Sequence, residues 1–329
     1  MTWASVIGLS LLIGTSLYGQ SQTATTAAPV QPAWQLDPNP ALTRGSAGSW
    51  DDQGIGEVSV VRAPDKWLMF YEGLGPSATG GHLGFGLAAS SDGVVWRKQG
   101  DQPVFTPVDL AVDRAASPSV THWKDQFWMG YLFLNGNDEN SDSMLSLRLA
   151  NSNDGANWRE FFAAKHPPID PKLIGNGRPC LYSDPQVKAL ELWWIGGEGK
   201  NRALFHSISR DAISWSKPST LLTSEIDTRP ILCARVYPSG RFYIIVYVVE
   251  LPEENAWKVV TKISDNARTW SSKGPPEFSL PMPSAPWMVF TSEGARLFYL
   301  AREESKHDPP DTRTLVRSAF CPKAEYEPR

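Results

Sequence analysis

One seven-residue phrase, Ser-x-Asp-Gly-x-x-Trp, returns with small changes along this chain, and it restricts the possible folds more than any other feature. It reads Ser90-Ser-Asp-Gly-Val-Val-Trp96, then Ser152-Asn-Asp-Gly-Ala-Asn-Trp158, then Ser209-Arg-Asp-Ala-Ile-Ser-Trp215, and last Ser264-Asp-Asn-Ala-Arg-Thr-Trp270. The tryptophans are 62, 57 and 55 positions apart. Asp or Asn followed by Gly or Ala suits a tight hairpin turn. The Trp then opens the next strand and packs a large ring between neighbouring units. An alternating or apolar strand stands ahead of each phrase: Leu83–Ala89, Leu145–Asn151, Ala203–Ile208 and Lys258–Ile263.

Two more strands lie upstream in each unit. The first is short and often opens on Pro: Val58–Val61, Pro118–Thr121, Pro179–Tyr182, Pro230–Cys233 and Pro286–Val289. The second is aromatic: Lys66–Tyr71, Gln126–Phe133, Glu191–Ile195, Arg241–Val249 and Arg296–Leu300. Four strands in 55–60 residues is the arithmetic of a propeller blade. There are five first strands and four full turn phrases, so one Trp is missing from the fifth unit. Trp34-Gln-Leu-Asp-Pro-Asn-Pro-Ala-Leu42 resembles the stretch after Trp96. The sequence therefore predicts an all-β, five-bladed β-propeller over 34–329, its last blade closed by the N-terminal strand, which leaves few open sheet edges. The alternative is a two-sheet sandwich of short strands, against which the recurring hairpin argues.

Residues 1–20 carry an apolar run from about Ala4 to Leu17, too short for a comfortable membrane span. They read as a signal peptide and 21–33 as a linker, so the mature protein is expected to be secreted or periplasmic and not membrane-bound. An N-terminal membrane anchor is the alternative. The net charge of −4 and the lack of a Lys/Arg stripe exclude a nucleic-acid partner. Cys180, Cys233 and Cys321 make an odd number without metal spacing. They read as buried free thiols, with a Cys180–Cys233 bridge as the alternative. The five His are scattered, and no HxxxH or HExxH occurs. No metal or cofactor is expected.

First strands line the axis of a propeller, so the residues opening them converge on one face. Those ahead of the Pro column are Glu57, Ser117, Arg178, Arg229 and Ala285; Trp50, Asp51, Asp52 and Asp113 stand just upstream. Second strands return to the same face with Glu72 and Glu198. Arg178 and Arg229 are expected to aim at the axis together and hold an anionic group bidentately. Plainer readings stand beside these. Glu57 can pair with either Arg, Asp51 or Asp52 can cap a turn, Asp113-Arg114 can be a surface pair, and Glu198 can serve solubility in its Gly-rich turn.

The five-unit plan, the Trp-anchored turns, and the segments Gly48-Ser-Trp-Asp-Asp-Gln-Gly-Ile-Gly-Glu-Val-Ser-Val-Val61 and Lys66-Trp-Leu-Met-Phe-Tyr-Glu-Gly73 resemble the five-bladed propeller glycoside hydrolases. These include the arabinanase/xylosidase family 43, the fructosidase family 32 and the mannoside phosphorylase family 130. The resemblance covers about residues 34–320. It implies an oligo- or polysaccharide substrate and paired carboxylates flanking the glycosidic bond. Family 43 would place acids before the Pro column of the first two blades and a Glu acid in the third. Here Glu57 matches, while Ser117 and Arg178 occupy the other two positions. Asp113 and Glu198 are the substitutes, with Asp51 or Asp52 assisting. Arg178, Arg229 and Glu72 would bind substrate, and Trp50 and Trp287 would stack on sugar faces. A Ca²⁺ in the channel, as in some relatives, is not indicated. The alternatives are a non-catalytic carbohydrate-binding propeller and, further off, a glycoside phosphorylase or a sialidase-like enzyme. A monomer is expected.

Overall fold

The computed structural model describes residues 33–75, 82–106, 114–134, 145–161, 178–184, 188–197, 202–239, 242–272, 274–302 and 313–325. Twenty strands form five antiparallel four-stranded sheets. Blade one is β2 (Gly54–Arg62), β3 (Trp67–Leu74), β4 (His82–Ser90) and β5 (Arg97–Lys98). Blade two is β6 (Arg114–Trp123), β7 (Gln126–Leu134), β8 (Leu145–Ser152) and β9 (Trp158–Glu160). Blade three is β10 (Cys180–Asp184), β11 (Ala189–Gly196), β12 (Ala203–Ser209) and β13 (Ser219–Leu222). Blade four is β14 (Ile231–Ser239), β15 (Phe242–Leu251), β16 (Ala256–Ser264) and β17 (Phe278–Leu280). Blade five is β18 (Trp287–Phe290), β19 (Gly294–Arg302), β20 (Thr314–Pro322) and, from the other end of the chain, β1 (Gln35–Leu36).

The closing strand behaves as its sequence predicts. Gln35 and Leu36 pair antiparallel with Phe320 and Ala319, and Ala41 donates to the Val316 carbonyl at 2.8 Å. Trp34 supplies the missing ring. It sits edge-on to Phe278 of blade four at 5.4 Å, and its Nε1 donates to the Pro276 carbonyl. The other tryptophans follow the same rule, each packing on the blade before its own. Trp96 meets Phe298 of blade five, and Trp158 meets Phe70 of blade one. Each of the five hydrophobic clusters therefore fills one seam between neighbouring blades. Edge-to-face rings at such seams add to the burial energy.

The turn phrase explains itself in the hydrogen bonds. Asp92 Oδ1 accepts the N–H groups of Val94 and Val95 at 2.8 and 2.9 Å, and Ser90 Oγ donates to the same oxygen. Asp154, Asp211 and Asn266 repeat the pattern. The next residue lies in the left-handed region in every copy, with φ of 76° at Gly93 and 57° at Ala267. That is why Gly is preferred there and why Ala is the tolerated substitute. Among the described residues no helix is long and apolar enough to cross a membrane.

Candidate functional site

Strand pairing gives the alignment of the blades directly. Ser59 pairs with Phe70, Ser119 with Gly130, Cys180 with Trp193, Arg235 with Val246, and Trp287 with Phe298. The next residue on the second strand is aromatic throughout: Tyr71, Tyr131, Trp194, Tyr247 and Tyr299. In this register the residues at the Glu57 level are Ser117, Arg178, Cys233 and Ala285. Blade four thus departs from the sequence alignment. Pro230 lies ahead of a β-bulge at the start of β14, and Ala234, four positions later, takes the Pro place. Arg229, next to Pro230, therefore stands upstream of the axial column.

Glu57 sits on the matching bulge of blade one, between Ile55 and Val58. Its side chain turns into the channel. Oε1 accepts the Arg178 Nε–H from blade three, and Oε2 lies 3.5 Å from Arg235 Nη2 of blade four. Burial opposes the Arg178 charge, but the Glu57 carboxylate, with Glu72 acting in the same direction, holds that guanidinium above the usual arginine range. Glu72, also buried, accepts the backbone N–H of Glu57 at 3.2 Å and that of Ser117. Ser117 has φ 55°, an unusual conformation for a non-glycine residue, and the Glu72 bond fixes it. Glu57, Glu72 and Arg178 are therefore brought together, with Glu72 positioning the bulges of blades one and two.

The other expected site residues go elsewhere. Arg229 grips Asp227 with a two-pronged fork at 3.1 and 2.9 Å and reaches Glu277 at 2.8 Å, in a cavity of about 250 Å³ on blade four. It does not join Arg178. Asp51 accepts from Lys98, from Tyr71 Oη at 3.3 Å and from Ser49 Oγ at 3.1 Å. Asp52 caps its turn, accepting from Gly48 N and Gln53 Nε2, and these bonds hold its carboxyl below the usual range. Trp287 is buried, with the Arg235 guanidinium 4.6 Å from its ring centre and Tyr237 edge-on at 5.8 Å. It serves the core and offers no open face for a sugar. Trp50 lies over Gly73 and stacks on Tyr71 at 5.8 Å. With Asp51, Lys98 and Asp101 it lines a groove of about 550 Å³ between the closing segment and blade one. Asp113 and Glu198 lie outside the described residues.

Two arginines escaped the sequence reading. Arg235 lines the channel and is only 2% exposed. Arg202 donates from Nη2 to the Leu232 carbonyl at 2.8 Å, and its Nε is buried without a hydrogen-bond partner among the described residues. Burial lowers its pKa, and Arg178 adds a smaller push in the same direction. The second-strand aromatic column would have exposed Arg235, because it fixes blade register where the Pro column does not. All three cysteines are buried and free, so the Cys180–Cys233 alternative falls away.

No family model matches the chain. Two uncharacterized proteins of Mycobacterium tuberculosis are similar to it. MT1551 of strain CDC 1551 / Oshkosh is 26% identical over 181 residues, and Rv1502 of strain ATCC 25618 / H37Rv is 25% identical over 178. Each match covers 54% of this chain and 58% of the relative, so the chain spans little more than half the length of the curated relatives it matches. Among solved structures, a glycosyl hydrolase from Bacteroides ovatus superposes with a TM-score of 0.60 at 12% identity, covering 89% of this chain and 94% of that one. The catalytic domain of a Coprinopsis cinerea GH62 alpha-L-arabinofuranosidase gives 0.58 at 14%, covering 88% and 96%. An N-acetylgalactosamine deacetylase from F. plautii, in complex with blood group B trisaccharide, gives 0.63 at 13%, covering 88% and 96%. This chain has the five-bladed propeller fold seen in glycoside hydrolases. At these identities the likeness concerns the fold, which hosts more than one chemistry.

Proposed function

We propose that this chain is an exported, glycosidase-like propeller that cleaves glycosidic bonds of an oligo- or polysaccharide at the mouth of its channel. The observation that carries the reading is Glu57, a carboxylate at the head of the first strands, where the residues opening several blades converge. Cleavage needs two carboxyls astride the bond, about 5–5.5 Å apart for retention or about 6.5–9.5 Å for inversion. In this reading Glu57 acts as base or nucleophile, and Asp113 or Glu198 supplies the acid. The Trp50 groove receives the rest of the sugar chain, with the indole against a sugar face and Asp51 and Lys98 within reach of hydroxyls. Export rests on the apolar run near the N-terminus.

The substrate proposed carries an anionic group. Arg178, Arg202 and Arg235 bring three guanidinium groups to this region, against the Glu57 and Glu72 carboxylates among the described residues. Arg202 replaces Arg229 as the partner of Arg178 in this reading.

A second reading, binding without cleavage, is favoured by one observation: both Glu57 oxygens already face a guanidinium. The deciding experiment screens aryl glycosides, neutral oligosaccharides and uronate-containing oligosaccharides with the wild type and Glu57→Gln, checking each fold by circular dichroism. Turnover lost in Glu57→Gln supports hydrolysis. Saturable binding without product supports the second reading, and neither binding nor turnover defeats both.

A further inference from the structure

The first strand of each blade is the inner edge of its sheet, so its axis-facing backbone groups lack a ladder partner. One side-chain column supplies partners in this chain. Ser59 Oγ accepts the N–H of Val120 in the next blade at 2.8 Å, and Ser119 Oγ accepts that of Leu181 at 2.8 Å. Cys180 Sγ donates to the Val236 carbonyl at 3.4 Å. The fourth member of the column is Arg235. Its Nε donates forward to the Pro286 carbonyl at 3.2 Å, and its Nη1 donates back to the Pro179 carbonyl at 3.1 Å. Nη2 points at Glu57 Oε2, 3.5 Å away, and neither atom has a hydrogen-bond partner among the described residues.

Three oxygens from blades three, five and one thus surround a single positive group from blade four. Two carbonyls and a carboxylate are the hard oxygen donors that a Ca²⁺ ion also selects. Here the guanidinium already fills the place, so the residues do not fit a channel metal as well. A planar, weakly hydrated guanidinium tolerates this burial better than an ammonium would, and the Trp287 face adds attraction.

We propose that the Pro179 and Pro286 carbonyls and Glu57 Oε2 form an axial cation site whose resident cation is the chain's own Arg235, and that Arg235 is thereby the positioning residue for Glu57. The proposal stands on channel geometry and holds whether or not the chain acts on sugars.

The test is thermal unfolding of the wild type, Arg235→Ala, Arg235→Lys, Arg235→Met and Arg235→Ala/Glu57→Gln. Each is measured in EDTA, in millimolar CaCl₂ and in low, non-denaturing guanidinium chloride. The wild type is expected to melt at the same temperature in all three. Arg235→Ala is expected to melt lower and to regain roughly 5 °C in saturating Ca²⁺ or guanidinium, the shift that tight binding to the native state alone gives. The double variant, lacking the carboxylate, should regain nothing. If Arg235→Ala does not fold, Arg235→Lys and Arg235→Met decide: the charged side chain should support folding better than the uncharged one. A wild type stabilised by Ca²⁺ overturns the proposal. So does a folded Arg235→Ala indifferent to both cations, or equal stability of the Lys and Met variants.

Discussion

Arg178 of blade three bonds to the Glu57 carboxylate of blade one, and the intervening blade presents only the uncharged Ser117 at that level. The pair therefore ties two blades that share no seam. Removing one partner leaves a buried charge alone, which costs more than the pair itself contributes. Glu57→Gln is expected to lower unfolding stability by about 3 kcal/mol in urea titrations. Adding Arg178→Met should recover part of that loss, giving a clear coupling energy in a double-mutant cycle. Strictly additive effects would remove the pair from the account.

Tyr247 and Tyr71 occupy the same place in blades four and one, and each donates to an aspartate in the loop before the first strand. The Tyr247 bond to Asp227 is 2.7 Å, whereas the Tyr71 bond to Asp51 is 3.3 Å and Lys98 shares the carboxylate. Tyr247→Phe should cost about 1.5 kcal/mol, the usual value for a hydrogen bond to a charged group. Tyr71→Phe should cost clearly less. Chemical denaturation of both variants checks the order.

Gly73 gives the Trp50 indole its resting place, since a Cβ there would stand 1.9 Å from the ring. Gly73→Ala should push Trp50 off Tyr71 and narrow the groove between blade one and the closing segment. The expected readout is a change in tryptophan emission that is absent when Gly73→Ala is made in a Trp50→Phe background. An unchanged spectrum would show that the indole never rested on Gly73.

The turn aspartates make the fold acid-sensitive. Backbone N–H groups of Ser214 and then Ile213 hold Asp211 down to about 2 from an ordinary 3.8, and Asp92 and Asp154 are lowered by the same kind of bond. A depressed carboxyl contributes stability that is present above the unfolded value and lost as pH falls through the folded one. Stability should decline from about pH 4 toward pH 2. Asp211→Asn should flatten that decline, as the natural Asn266 already does in the fourth copy. Unfolding titrations at stepped pH measure the slope.

The three thiols should be silent in the native state. Cys180 and Cys233 are pushed up by burial, and Cys321 is raised to about 11, again by burial. Thiolate, the reactive form, is therefore scarce. Ellman's reagent should label none of them before unfolding and all three after it, and dithiothreitol should leave the melting temperature unchanged.

Blade number, closure by the N-terminal strand and the seam role of Trp34, Trp96 and Trp158 were legible in the sequence. They depend on local turn chemistry and on the period of one recurring phrase, and both are written along the chain. That Glu57 can meet an arginine was also readable, because Glu57, Arg178 and Arg229 each stand one residue before an expected strand opening; the structure selects Arg178. The destinations of Arg229 and Arg235 were decided only by the tertiary structure. Strand pairing puts Ala234, four positions beyond Pro230, in the Pro column of blade four. That offset leaves Arg229 turned to Asp227 and Arg235 buried on the axis. The Pro landmark does not carry that choice; it is set by the pairing of β14 with β15, of which the second-strand aromatic column is the trace in the sequence.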